Sequence, residues 1–293
     1  MLNDRNFDCA YGVAEQVSPL IRRVVARNPG PFTFLGTGTY IVGRGWVAVI
    51  DPGPDLSDHV AALLAALAGE KVTHILITHT HIDHSPAAAA LKAATGAPSL
   101  GFGPHGAVGE TGEAGADLAF RPDIRLADGD GVSGEGWSLT ALHTPGHASN
   151  HLCFALAEEQ ALFSGDQVMG WSTTVVGPPD GDMAAYMASL DRLLARGDKI
   201  YWPTHGGPIR DPRAHVAELI AHRRARRATI LEALSAGPSR PADIVVKVYR
   251  GLDPRLVEAA AESVRAHLIE LAAAGLAVEK AGLWRRLQAG SGM

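Results

Sequence analysis

The chain has 293 residues, 46% of them hydrophobic and 19% charged, with a formal net charge of −5 and only two cysteines. This length and balance suit a globular chain of one large domain, or a medium domain with an appendage, able to bury a real core. A net negative chain exerts no global pull on nucleic acid, so a polyanionic substrate would need a local basic groove. Cys9 and Cys153 cannot build a disulfide framework and read as reduced residues.

The first residues, MLNDRNFDCAYG, have no apolar segment of the secretory kind. The longest apolar runs, such as AALLAALAG, are too short to span a bilayer. The expectation is a cytoplasmic protein without membrane partners. Residues 32–51 read as two β-rich runs about the Gly43-Arg44-Gly45 turn, a hairpin. DLSDHVAALLAALAG has helical spacing and a terminal glycine stop. VTHILITH is an apolar strand, and SPAAAALKAATG a helix with Ser85 as its expected N-cap and Pro86 at its first position. WSLTALH, HLCFAL, QALFSGD and KIYWPTH read as strands, with a helix around Asp182 to Ala195 between the last two. The character changes after Pro208. Arg213 to Ser235 reads as one long helix, AGPSRP as a break, and residues 241–288 as helix, helix and short hairpin, compatible with a winged-helix-like unit. Three parts are expected: a catalytic domain over 1–212, a connecting helix over 213–235 and a winged-helix-like domain over 236–293.

Chemistry concentrates where strands run out. His79, His81, Asp83 and His84 lie between a strand and a helix. Residues two apart in an extended segment point the same way, so His79 and His81 can reach one metal, while Asp83 and His84 can reach a second. HTPGH with His147, FSGD with Asp166 and WPTH with His205 end three further strands in the same manner. A lone histidine is ordinarily a hydrogen-bonded core or loop residue; the H-x-H-x-D-H crowd with three such partners is not. Imidazole suits zinc or iron, and a carboxylate can bridge two ions. His143 and His151 flank a ligand as candidates for orienting the site. His59, His74, His105, His215, His222 and His267 are expected on the surface or on helix faces.

This set resembles the metallo-β-lactamase superfamily, which implies an α/β (α+β) chain folded as an αββα sandwich with metals at one edge of its two sheets. The resemblance implies that His79, His81 and His147 bind one divalent ion, that Asp83, His84 and His205 bind another, and that Asp166 bridges them. Zn2+ is the expected metal. Asp51, in VIDPG, matches the family's first motif, an acidic residue that orients the site from behind the ligands. NPGPFTFLGTGTYIVG (28–43), TPGHASNH (144–151) and the winged-helix-like tail are similar to the lactamase-β-like endoribonuclease group, which implies single-stranded RNA as substrate. The chain departs from the superfamily at Pro86-Ala87, where two glycines are common, at Thr204, where glycine is usual, and at Gly38, often asparagine.

The implied chemistry is hydrolysis by a hydroxide held between two metals, with Asp83 as the catalytic carboxylate that steers it or accepts its proton. Four arginines in HRRARR, Arg223, Arg224, Arg226 and Arg227, could track RNA phosphates. The alternative reading is a glyoxalase II-like hydrolase of a thioester or small-ester substrate. A winged-helix unit can also serve as packing or as a dimer surface, so a homodimer is a further expectation.

Overall fold

A computed structural model describes residues 4–107 and 115–287. The first sheet has seven strands: β1 (Glu15–Gln16), β2 (Ile21–Val25), β3 (Gly38–Arg44), β4 (Trp46–Ile50), β5 (Lys71–Leu76), β6 (Ser99–Gly101) and β7 (Ile124–Arg125), in that spatial order. Pairing is antiparallel from β1 to β4 and parallel from β4 to β7. The parallel half needs helical crossovers. The helix α1 (Ser57–Ala66) joins β4 to β5, and α2 (Ala87–Thr95) joins β5 to β6.

The second sheet runs β12-β11-β10-β9-β8, from β8 (Gly131–Gly134), β9 (Trp137–His143), β10 (Leu152–Leu156), β11 (Ala161–Gly165) and β12 (Ile200–Pro203). The helix α3 (Met183–Leu194) makes the crossover between the parallel strands β11 and β12. Asp182 caps it, its carboxylate accepting from the Ala185 amide at 2.8 Å.

Alternation along the strands assigns the layers. Tyr40, Val42, Ala48 and Ile50 meet Trp137, Leu139, Phe154 and Phe163 between the two sheets. The residues in between face outward: Ile41, Val47 and Val49 pack on Leu63 of α1 and Leu91 of α2. On the other side Leu142, Cys153 and Leu162 pack on Tyr186 and Leu190 of α3. This is the expected αββα sandwich, produced by the period-two side-chain alternation of half-buried strands with helices on both outer faces.

The helix α4 (Pro212–Ala233) follows. Its Val216, Leu219 and Ile220 belong to the core beneath the second sheet, whereas its Ile230 joins Ile244, Val264, Leu268 and Trp284 in a separate C-terminal core. That core is built from α5 (Pro241–Val248), α6 (Val257–Ala273), β13 (Ala277–Lys280) and β14 (Leu283–Arg286). The last two strands pair antiparallel about Ala281 and Gly282, both at positive φ, as a tight two-residue hairpin requires. The Ser239 and Trp284 backbones exchange two 2.9 Å hydrogen bonds and give the unit a third strand position, completing a winged-helix arrangement. No helix among the described residues is long and apolar enough to cross a membrane.

Two local expectations are corrected. Residues 32–37 do not extend the hairpin; β3 begins at Gly38. Ser85 is not a side-chain cap: α2 starts at Ala87, and the Ser85 hydroxyl donates to Asp117 at 2.6 Å instead. Pro86 precedes the helix with φ −59°, which the pyrrolidine ring favours.

Candidate metal centre

Every residue of the opening cluster sits past the end of β5, and His147, Asp166 and His205 sit past β9, β11 and β12 at the same edge of the sandwich. Two constellations of ring nitrogens and carboxylate oxygens result, His79, His81 and His147, and Asp83, His84 and His205, and a third group, His79, His84 and Asp166, overlaps both; within each the donor atoms lie mutually within 4.8 Å. In the first, His81 Nδ1 lies 2.9 Å from His79 Nε2 and 3.1 Å from His147 Nε2. In the second, Asp83 Oδ2 lies 3.1 Å from His205 Nε2 and 3.5 Å from His84 Nε2. Asp166 stands between them. Its Oδ2 is 3.7 Å from His147 Nε2 and 3.6 Å from His84 Nε2, and its Oδ1 is 3.5 Å from His205 Nε2.

The protein fixes which nitrogen each histidine presents. His84 Nδ1 donates to Asp51 at 2.8 Å, His147 Nδ1 to the Val175 carbonyl at 2.7 Å, and His205 Nδ1 to the Gly36 carbonyl at 3.2 Å. His79 Nδ1 donates to the Thr78 hydroxyl oxygen at 3.0 Å, because that hydroxyl already donates its own proton to Asp51 at 2.8 Å. In all four, Nδ1 is committed to an acceptor, so the Nε2 lone pair faces the cluster. His81 is the exception and faces it with Nδ1.

Asp51 is fully buried and accepts four hydrogen bonds: from the Thr78 amide and hydroxyl, from His84 Nδ1 and from the Thr204 hydroxyl at 3.0 Å. Three of the four donors converge on Oδ2 and one on Oδ1, so the carboxylate is fully engaged. Gly53 completes the support, since its amide donates to the His84 carbonyl at 2.9 Å and its own carbonyl accepts from Ala87 at 3.1 Å. A side chain there would need the φ of +90° and would crowd His59 at 3.1 Å, so glycine is required.

The two halves differ electrostatically. Burial, aided by repulsion from neighbouring imidazoles, holds His79 well below its usual value and brings His147 down to about 4. Burial opposes charge on His84 as well, but Asp83, Asp166 and Asp51 outweigh it and raise that histidine well above the usual range. Burial is likewise outweighed at His205, which Asp166 and Asp83 push up to about 10. Burial would raise Asp83 and Asp166, yet His84 and His205 hold both carboxyls below the ordinary carboxylate range. Buried carboxylates thus demand positive charge at this spot.

The donor set fits divalent cations. His84 Nε2 and Asp166 Oδ1 are buried without a hydrogen-bond partner, and both point into the gap between the constellations. Orphaned buried polar atoms of that kind are costly unless something coordinates them. Donor separations of 2.9 and 3.1 Å are close to the edge of roughly 3.3 Å expected for a tetrahedron with bonds of about 2.0 Å.

Residues 33–205 match the metallo-beta-lactamase superfamily. The chain belongs to that superfamily. Residues 241–284 match the beta-lactamase associated winged helix domain. A crystal structure of a metallo-beta-lactamase family protein from Thermus thermophilus is similar with TM-score 0.78 and 25% identity, covering 93% of this chain and 100% of that one. A lactamase-like protein from Pestalotiopsis microspora is 36% identical over 224 residues, 75% of this chain and 65% of that protein; the chain therefore spans just under two thirds of that relative's length. A protein from Claviceps purpurea named atrochrysone carboxyl ACP thioesterase is 33% identical over 244 residues, 80% of this chain and 74% of that protein.

Within this metallo-β-lactamase fold the departures acquire physical reasons. Thr204 supplies a hydroxyl to Asp51 that glycine could not. Ala87 is fully buried and its amide is used by Gly53, so the Pro86-Ala87 pair closes tightly on the ligand loop. A β-carbon on Gly38 would come within 3.2 Å of the Thr204 carbonyl, which explains the absence of a side chain there.

Other expectations need correction. His151 lies against the cluster: its Nε2 accepts from the Asp166 amide at 3.2 Å while Nδ1 donates to the Thr144 hydroxyl at 2.9 Å. His143 does not join it. That ring stacks on Phe102 at 4.0 Å and meets the Ser149 carbonyl at 2.9 Å. His59, His215 and His267 lie on helix faces as expected, but on buried ones, and His105 is buried outside any helix; His59, for example, pairs with the Thr39 hydroxyl at 2.9 Å. Three arginines of the row make contacts within the fold. Arg227 is spent on a two-pronged pair with Glu270, Arg226 stacks 4.0 Å from the Tyr249 ring, and Arg223 is buried against Tyr186. Only Arg224 of the four is exposed, 3.9 Å from Asp191. Arg226 meets the end of α5 through the Val248 carbonyl, and Arg227 meets Glu270 of α6.

The sequence reading missed the hydroxyls. Thr78 and Thr204 hold Asp51, Thr144 holds His151, and Thr174 donates to the Asp166 carbonyl at 2.6 Å. A signal was present, since Thr78, Thr80 and Thr204 each directly precede a ligand histidine.

Proposed function

We propose that this chain is a binuclear metal-dependent hydrolase of acyl thioesters, in place of the single-stranded RNA that the sequence ranked first. The observation that carries the choice is the internal use of Arg223, Arg226 and Arg227, which leaves α4 without a row of free cations for phosphates. The thioesterase name of the Claviceps purpurea relative supports the same reading. His79, His81 and His147 would hold one ion, Asp83, His84 and His205 the other, with Asp166 between and Zn2+ as the first choice of metal.

Two divalent ions bound there supply Lewis acidity toward the thioester carbonyl and make hydroxide available at neutral pH. The chain's own part is orientation and proton handling. Asp51, Val175 and Gly36 keep His84, His147 and His205 aimed inward. Asp83 is the most exposed carboxylate of the cluster, at 22%, and its depressed basicity suits a group that stays ionised and takes a proton only in passing from the attacking water. A thiolate, whose conjugate acid has a pKa of about 8.5, departs without a dedicated acid. The test is a panel of an acyl-pantetheine thioester and labelled single-stranded RNA, each with and without chelator and with zinc added back. Chelator-sensitive thioester hydrolysis is expected. RNA cleavage with the thioester left intact would overturn the proposal.

A further inference from the structure

Between the segment after β11 and the C-terminal unit lies a cavity of about 140 Å3. A cavity of about 150 Å3 takes benzene, so this one has room for an aromatic ring. One wall is the segment from Trp171 to Val175. The same segment holds the metal centre, through the Thr174 hydroxyl on the Asp166 carbonyl and the Val175 carbonyl on His147. The facing wall is apolar and belongs to the winged-helix unit, with Tyr249, Leu252 and Leu256. Phe32, 49% exposed, also lines it.

A charge is buried in this apolar setting. Arg223 lines the cavity, is 3% exposed, and has no carboxylate partner among the described residues. Its Nη2 donates to the Thr174 carbonyl, its guanidinium lies 5.1 Å from the Tyr186 ring, and its Nε has no hydrogen-bond partner. Trp171, which also lines the cavity, likewise buries its indole N–H without a partner. A desolvated cation with unused donors beside an open cavity is costly until an anion reaches it. The neighbouring cations cannot substitute, because Arg226 and Arg227 are committed to Tyr249 and Glu270.

We propose that this groove binds the acyl part of the substrate, and that Arg223 receives a carboxylate carried on an otherwise apolar, aromatic acyl group. The link to catalysis rests on the thioester reading above; the binding itself does not. With Nη2 held on the Thr174 carbonyl, the unpartnered Nε leaves the guanidinium a donor for a carboxylate, while the Tyr249, Leu252 and Leu256 wall accepts the ring.

The probe is 2-naphthoate against its neutral analogue 2-naphthamide, titrated calorimetrically into the metal-loaded full chain. Wild type is expected to bind the carboxylate at least tenfold more tightly. Arg223→Gln erases that preference and Arg223→Lys keeps part of it. Leu256→Trp, which leaves Arg223 in place and fills the groove from the other side, weakens both ligands. Equal binding of the two ligands by wild type, a preference that survives in Arg223→Gln, or no effect of Leu256→Trp overturns the proposal. Turnover of 4-carboxybenzoyl and benzoyl pantetheine thioesters is measured alongside. Naphthoate binding that follows this pattern without any thioester turnover removes the thioester reading and leaves the carboxylate site; turnover without the binding preference does the reverse.

Discussion

Replacing Asp51 by Asn isolates the charge and lone pairs behind His84. The residue sits at φ 48°, a conformation that asparagine tolerates, so the backbone is not the variable. Oδ1 of Asp51 accepts only from the rigid Thr78 amide, and Oδ2 accepts from the Thr78 hydroxyl, His84 Nδ1 and the Thr204 hydroxyl. The best amide orientation puts the oxygen at the Oδ2 position and turns its NH2 toward the Thr78 N–H, leaving one buried donor unpaired at a cost of about 1–3 kcal/mol. The remaining bonds lose their charge assistance, so a total loss of about 2–4 kcal/mol is expected. Because His84 is no longer held by a carboxylate, affinity for the ion at Asp83, His84 and His205 falls about 10–100-fold. Urea unfolding of the metal-free protein reads the first quantity, and competition with a chromophoric chelator reads the second. An Asn variant with unchanged affinity for both ions would refute the argument.

Asp83→Asn should lower kcat about 10²–10⁴-fold with little change in melting temperature, checked by thioester kinetics and calorimetry. Metal analysis of the protein purified without chelator should find close to two ions per chain, and exhaustive chelation should abolish hydrolysis until zinc is restored. His267, fully buried with both ring nitrogens unpartnered, has its pKa pushed down to about 3 by burial and then by Arg223. A depressed histidine contributes stability that is complete above its unfolded value near 6.5 and is lost as pH falls toward 3. Wild type should therefore lose about 2.5 kcal/mol more than His267→Leu between pH 7 and pH 4.5, read from urea midpoints; parallel losses would refute the assignment. Leu268→Ala, in the C-terminal core, should cost about 2–5 kcal/mol by chemical unfolding.

Much of this architecture was legible because strand ends and ligands coincide. Trp137–His143 alternates so regularly that β9 was predictable to the residue. By contrast β2 escaped notice, because Arg22 and Arg23 interrupt its apolar run. Their partners, Glu70 at 2.5 Å and Glu15 at 2.9 Å, are supplied only by the fold. The histidine and aspartate motifs announced a two-centre cluster, since residue type and spacing suffice for that. Which face of α4 is covered did not follow from HRRARR, because only packing by α6 decides whether an arginine meets solvent or Glu270. The four hydroxyls around Asp51, His151 and Asp166 were hidden because they sit in loops past the strand ends, where the fold alone decides which acceptor a threonine meets.

One continuous helix, α4, is anchored at its start under the second sheet and at its end within the winged-helix unit. A rod shared by two cores leaves no hinge between them, so the lobes should melt together and resist separation by limited proteolysis. It also divides evolutionary labour. The wall contributed by Tyr249, Leu252 and Leu256 can change residue by residue without touching any metal ligand. Under the acyl-groove proposal, selectivity and hydrolytic chemistry are then free to drift independently on one scaffold.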